Sequence, residues 1–227
     1  ILYENIKLGV TYMFGNGIDE NAVSQDCDFY QESLVLLEGA VIELTSRLDI
    51  IRKYRKAHHY RDPIEYCKSR IKSPGSMKEK LLRHGLEPTR DNAMSKVYDA
   101  AGIRVICAFV DDVYFVAKML HKQSDIRVLE EKDYIHNPKP NGYRSYHMIA
   151  EVPIHLGDGI CRVFCEIQIR TIAMDCWASL EHQLKYKKSI ANQEMIVGEL
   201  KRCADEIASA DLNLQTIRDM IEDDEIL

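Results

Sequence analysis

No stretch of this 227-residue sequence holds the ~18 consecutive apolar residues a membrane-spanning helix needs. No signal-peptide pattern stands near Ile1, and the expected location is the cytoplasm. There is no Walker A sequence and no Gly-x-Gly-x-x-Gly fingerprint. A nucleotide, if one binds, must therefore be held by side chains and not by a glycine cradle. Seven cysteines are an odd count without a Cys-x-x-Cys pair, which argues for reduced thiols over a disulfide framework or zinc site. Repeats and low-complexity segments are absent. His58-His59 has no spaced acidic partner, which weakens a metal-hydrolase reading. The one tryptophan, Trp177, reads as core and not as a ligand platform.

Excess positive charge is also missing. Lys and Arg number 30 against 36 Asp and Glu, a net of −6, which argues against a general binder of duplex DNA. The charge is unevenly spread, however. Residues 52–96 hold 13 basic and 5 acidic side chains, net +8, whereas residues 196–227 hold 3 and 9, net −6. A local cationic surface in an acidic chain suits a small polyanion such as a nucleotide, although solvated helix faces would account for many single lysines.

What is present organises into one domain of ordinary hydrophobic content, 46%. Residues 1–28 show no period and read as a partly ordered extension. Residues 29–189 read as the main domain and 190–227 as a helical extension. Leu34, Leu37, Val41, Leu44, Leu48 and Ile51 recur at spacings of three and four, which predicts an amphipathic helix over 32–58, stopped by Asp62-Pro63. A strand over 64–71 would deliver Arg70. Ser73-Pro74-Gly75 turns, with Ser76 as cap of a helix over 77–84, and a second short helix covers 89–97. A buried strand spans 101–110, Asp111 caps a helix over 112–122, and a short strand covers 126–129. Two strands, 145–154 and 160–169, flank the hairpin signal Leu156-Gly157-Asp158-Gly159. Helices follow over 171–187 and 190–221, the latter with Ile196, Leu200, Ala204, Ile207, Leu214 and Ile217 on one side. The order of elements gives an α+β fold with a mixed sheet flanked by helices, the first and last of them long.

Three groups of residues carry chemistry. In 160–170, Val163, Cys165, Ile167 and Ile169 share one face, and Arg162, Phe164, Glu166, Gln168 and Arg170 the other. A solvated face with cross-strand pairs explains that alternation as well as a site does. Asp99, just before the strand holding Arg104, is the second carboxylate of interest; two carboxylates with water and phosphate can hold Mg²⁺. Arg70, Lys72, Lys80 and Arg83 lie within fourteen residues and could clamp a triphosphate. Finally, Asn137-Pro138-Lys139-Pro140-Asn141-Gly142-Tyr143-Arg144-Ser145-Tyr146-His147 joins a rigid turn to cations and aromatics. There an exposed Tyr143 ring could stack on a planar ligand, and Lys139, Arg144 and His147 could meet phosphate or a base edge.

Lys132-Asp133-Tyr134-Ile135, that run, Glu166-Ile167-Gln168-Ile169-Arg170-Thr171, Trp177-Ala178 and Glu181-His182 together resemble the synthetase domain of the RelA/SpoT family, most closely its single-domain members of the RelQ type. The similarity runs from about Ile42 to Leu212. It implies a nucleotidyltransferase-like mixed sheet and transfer of pyrophosphate from ATP to the ribose 3′-hydroxyl of GDP or GTP, giving (p)ppGpp and AMP. It further implies that Arg70 and Arg104 sandwich adenine, that Lys72, Lys80 and Arg83 hold the phosphates of ATP, and that Asp99 and Glu166 hold Mg²⁺. Glu166 would also lie near the attacking hydroxyl. Tyr143 would stack on guanine, with Lys132, Lys139, His147 and Gln168 around the acceptor. A carboxylate of ordinary pKa near 4 is ionised at neutral pH and can serve as ligand or base. Lys132 stands where close relatives often carry Arg, and Asp175 where RelQ-type proteins often carry Asn; the acid is expected to repel an acceptor phosphate. The sequence before Arg70, Tyr66-Cys67-Lys68-Ser69, also differs from the one tied to alarmone regulation in RelQ relatives. No His-Asp hydrolase motif is seen, so synthesis without hydrolysis is expected. A homotetramer assembled through helices is implied. Related pyrophosphotransfer to adenosine nucleotides or tRNA, and a non-catalytic nucleotide or single-stranded RNA sensor, stay open as alternatives.

Overall fold

The computed structural model describes residues 28–185 and 192–224. The expected N-terminal extension therefore lies outside the described residues except for its last position. Helix α1 spans Ser33–Ala57, and Leu34, Leu37, Ala40, Val41, Leu44 and Leu48 form its buried stripe. It ends before Asp62-Pro63: Arg55 and Lys56 occupy the last turn, and His59 adopts φ 57°. Asp62 instead pairs with Arg52 at 2.8 Å, holding the chain that leads into the sheet.

The sheet has five strands: β1 Tyr66–Ile71, β2 Ala101–Cys107, β3 Arg127–Asp133, β4 Tyr146–Leu156 and β5 Gly159–Thr171. Their spatial order is β1-β2-β5-β4-β3, with β2 and β5 parallel and the other neighbours antiparallel. This is the mixed sheet expected. Strand β2 is shorter than expected, and β3 runs four residues further than expected, through Asp133. Because side chains alternate, one face carries Ile103, Val105, Cys165, Ile167, Ile169, Met148 and Ala150 into the core. Leu34 to Leu48 of α1 and Val113, Val116 and Leu120 of α4, Val110–His121, join the same core. Burial pushes the Cys165 thiol up to about 12 and the Cys67 thiol up to about 11, as suits inert core thiols.

Two short helices, α2 Pro74–Arg83 and α3 Arg90–Lys96, precede β2. The cap of α2 is Ser73, whose hydroxyl accepts from the Ser76 amide at 3.5 Å. Pro74 lacks an N–H and fits the first helical position, so the helix starts three residues earlier than a Ser76 cap implies. Asp111 likewise lies inside the first turn of α4, whose N-cap is Phe109 with no side-chain bond. There it accepts from Arg218 of the last helix at 2.7 Å.

Helix α5, Ile172–Lys185, leaves the end of β5 directly, and α6 spans Gln193–Asp224. Of the apolar side expected on α6, Ala204 is buried, while Leu214 and Ile217 are 57% and 52% exposed. Among the described residues no helix is long and apolar enough to cross a membrane.

Candidate active site

The sheet register places residues of five strands, most of them polar, in two adjacent rows on the face away from the core. One row runs Lys68, Arg104, Gln168, His147, Lys132; the next runs Arg70, Gly102, Glu166, Ile149, Glu130. Residues far apart in sequence become neighbours because each sits at the same parity of its strand. Gly102 leaves a gap in the second row, between Arg70 and Glu166. A Cβ there would sit 3.7 Å from the Glu166 carbonyl oxygen and project into the groove.

Two cavities open on this face. The first, about 260 Å³, is lined by Lys68, Ser69, Arg70, Gly102, Ile103, Arg104, Glu166 and Gln168. The second, about 400 Å³, is lined by residues that include Lys80, His84, Asp99, Lys132, Tyr134, Lys139, His147 and Glu166. Glu166 lines both and stands where they adjoin. Asp99 shares the second cavity with it, so the two acids lie on the same side of the sheet.

Asp99 Oδ2 is held by Lys80 at 2.7 Å and by Lys72 at 3.0 Å. Lys72 is fixed from behind, since the Tyr30 hydroxyl donates to its carbonyl at 2.7 Å. The other oxygen of Asp99, Oδ1, is buried with no hydrogen-bond partner. Glu166 accepts from Gln168 Nε2 at 2.8 Å and lies 3.5 Å from His147 Nδ1. Burial alone would raise the Glu166 pKa, but the His147 hydrogen bond and charge, the Gln168 bond and the Arg70 charge together hold it down at about 2. It is therefore a firmer anion and a weaker base than an ordinary carboxylate.

The 137–147 run is pinned on both sides. The Gly142 amide donates to the Lys139 carbonyl at 2.8 Å, and Tyr143 N to Asn141 Oδ1 at 3.2 Å. Gly142 has φ 88°, and a Cβ there would lie 2.5 Å from the Ala204 Cβ on α6. Arg144 bonds the Ala204 carbonyl and the Asp205 carboxylate of α6. Tyr143 is half-buried, not an exposed platform, because its hydroxyl meets His147 Nε2 at 2.9 Å and accepts from Arg170 at 2.5 Å. Lys139 Nζ sits over both the Tyr134 and the Tyr143 rings, at 4.6 and 4.9 Å.

Most expected site residues come together, with differences. Arg70 and Arg104 line the first cavity, and Lys132, Lys139 and His147 the second. Gln168 lines the first cavity, not the second where it was expected. Lys80, expected with the ATP phosphates, lines the second cavity; Lys72 and Tyr143 stand behind the cavity walls and line neither, and Arg83, exposed at the end of α2, lines neither. Asp175 does not threaten an acceptor phosphate: it is buried, and its Oδ1 lies 3.2 Å from both Arg104 and Arg170. Sequence reasoning missed Tyr134 and Lys68 as cavity walls. Lys68 shares the parity of Arg70, and Tyr134 follows Lys132 closely, so both carried a readable signal.

A five-stranded mixed sheet flanked by helices, with one face in the core and two adjoining polar cavities on the other, is the α+β scaffold that the family resemblance implies. The comparisons with known proteins agree. Residues 69–191 match the model of a region found in RelA / SpoT proteins. The GTP pyrophosphokinase YwaC of Bacillus subtilis is 41% identical over 88% of this chain and 92% of its own length. The small alarmone synthetase 1 of Bacillus subtilis bound to its product pppGpp superposes with a TM-score of 0.76 at 34% identity, over 85% of this chain and 98% of that one. The same synthetase bound to AMPCPP gives 0.72 at 32% identity, over 86% and 98%. The chain belongs to the RelA/SpoT family.

Proposed function

We propose that this protein is an ATP:GTP 3′-diphosphotransferase, moving the β,γ-pyrophosphoryl group of ATP to the ribose 3′-hydroxyl of GDP or GTP. The observation that carries the reading is the position of Glu166 in the wall shared by two adjoining polar cavities. ATP occupies the first, its adenine between Arg70 and Arg104. Its phosphates extend toward Lys72 and Lys80, with Arg83 at the outer end of the same helix. The guanine nucleotide occupies the second, with Tyr134 and Tyr143 beside the base and Lys132, Lys139 and His147 toward its polar groups. Gln168 acts from the first cavity by holding Glu166.

The 3′-hydroxyl oxygen attacks the β-phosphorus in line; the bond from that phosphorus to the α,β-bridging oxygen breaks, and AMP leaves with the electron pair. Transfer of this kind needs positioning and charge neutralisation more than covalent catalysis. Lys72 and Lys80 stabilise charge on the migrating group. The hydroxyl proton passes to the Glu166–His147 pair. A weak base suffices there, because in a loose transition state the nucleophile bonds late.

The residues fit a magnesium ion. Asp99 Oδ1 is a buried oxygen without a hydrogen-bond partner. Two carboxylates, Asp99 and Glu166, suit a cation that retains water and takes phosphate oxygens as its remaining ligands. When bound it would offset charge on the bridging phosphates. A cytoplasmic homotetramer is proposed from the family resemblance, and the apolar residues that α6 leaves exposed, Leu212, Leu214, Ile217, Met220 and Ile221, offer a surface on which copies could meet; light scattering measures its size.

An acceptor screen with ATP and Mg²⁺ tests the function. GDP or GTP should yield guanosine 3′-pyrophosphates. Preferential transfer to adenosine nucleotides or to tRNA would replace this reading with one of the alternatives, and binding without turnover would replace it with a sensor.

A further inference from the structure

Arg170 is 4% exposed and lines neither cavity, yet its guanidinium bonds four residues at or behind the site. Its Nε donates to Ser145 Oγ at 3.3 Å. One terminal nitrogen donates to Asp175 Oδ1 at 3.2 Å. The other donates to the Tyr143 hydroxyl at 2.5 Å and to Gln168 Oε1 at 2.7 Å. The path continues at both ends. Asp175 Oδ1 also pairs with Arg104, in the first cavity, and Gln168 bonds Glu166, in the shared wall. Tyr143 lies beside His147 and Lys139 of the second cavity.

Two guanidinium groups thus share one carboxylate oxygen in a water-poor setting. Arg104 and Arg170 repel one another, and Asp175 is the charge that holds them together. With Arg170 already 2.5 Å from the Tyr143 hydroxyl and 3.2 Å from Asp175, any movement of Tyr143 that carries Arg170 with it would alter its contact with Asp175 and with it the seat of Arg104. Buried hydrogen bonds to charged groups carry such effects further than solvated ones do.

We propose that Arg170 and Asp175 are positioning residues that make nucleotide binding in the two cavities interdependent, so that an acceptor seated against Tyr143 fixes Arg104 for the adenine of ATP. The inference rests on the pyrophosphokinase reading. Its chemical use is plain: ATP held productively only when the acceptor is present is protected from transfer to water. Linkage requires the effect to be mutual, so ATP tightens the acceptor by the same factor.

The test measures the affinity of the full chain for an α,β-methylene ATP analogue, with Mg²⁺, without and with saturating GDP. In the wild type, GDP should tighten the analogue on the order of 10-fold. Tyr143→Phe keeps the ring and removes the hydroxyl that Arg170 bonds; it should cut that factor to about twofold or less while changing affinity for the analogue alone by less than about twofold. Asp175→Asn should remove the factor as well, and combining the two should cost no more than either, since both break one path. If Asp175→Asn fails to fold, Tyr143→Phe decides alone.

An unchanged factor in Tyr143→Phe overturns the proposal, and so does a wild type in which GDP leaves analogue affinity untouched. A purely structural role for Asp175 would weaken the analogue equally with and without GDP, and that result overturns it too. Wild-type turnover of ATP and GDP is assayed in parallel. Turnover without interdependence defeats this inference alone, whereas absence of turnover defeats the pyrophosphokinase reading and this inference with it.

Discussion

Lys80 Nζ lies 2.7 Å from Asp99 Oδ2, on an oxygen it shares with Lys72, while Asp99 Oδ1 has no partner. The carboxylate is neutralised on one side and holds an oxygen in reserve on the other. Asp99→Asn keeps the shape and removes the charge. It should lower kcat by about a hundredfold or more and weaken the dependence of turnover on Mg²⁺ concentration. A variant retaining wild-type kcat and Mg²⁺ dependence would take Asp99 out of the metal site.

The Glu166 pKa of about 2 sets a pH dependence. The group stays ionised from about pH 5 to about pH 9, so the ratio of wild-type to Glu166→Gln kcat/KM should stay flat across that range. Its folded value lies below the ordinary one. Its contribution to stability is therefore present above the unfolded pKa, near about 4.3, and fades as the pH falls toward about 2. Urea titrations of both proteins should converge over that acid window. Convergence at neutral pH would mean that His147 and Gln168 do not hold the carboxylate down.

Gly142 combines φ 88° with a Cβ position 2.5 Å from Ala204. Gly142→Ala should cost about 1–3 kcal/mol of stability, because strain and overlap add. The turn carrying Lys139 and Tyr143 should loosen from α6, raising KM for the guanine nucleotide more than KM for ATP. Equal changes in both constants would count against a role for this turn at one cavity only.

Asp112 is 3% exposed and takes two bonds from Arg61, at 2.7 and 2.6 Å. It lies at the start of α4 and lines neither cavity. Asp112→Ala leaves a guanidinium that water can reach, so the expected loss is about 1–3 kcal/mol, below that of a fully buried pair. Denaturation should register it while kcat and both KM values hold. A large fall in kcat would show that α4 supports the site directly.

Much of the site was legible because strand parity is local. Knowing that Glu166 and Gln168 face away from Ile167 requires only the alternation of β5, and Arg104 and His147 follow the same rule. The pairing of strands was not legible, since no local pattern states that Gly102 lies beside Glu166. Asp175 was misjudged for a related reason. Its charge was visible in the sequence, but the two arginines that neutralise it come from β2 and β5 and meet it only after folding. Tyr143 was read as an exposed ring because the turn before it is polar, yet Arg170, twenty-seven positions later, draws its hydroxyl inward. The helix starts were missed by small steps: Ser73 and Ser76 are both plausible caps, and Pro74 decides in favour of the first.

The most direct test follows both label and leaving group. With ATP labelled at the γ-phosphate, GDP and Mg²⁺, the label should appear on the guanosine 3′-position, with AMP released in equal amount. Glu166→Gln should lower that rate by roughly 10²–10⁴ while the protein stays folded. Release of ADP or free pyrophosphate in place of the guanosine product, or full activity in Glu166→Gln, would contradict the account.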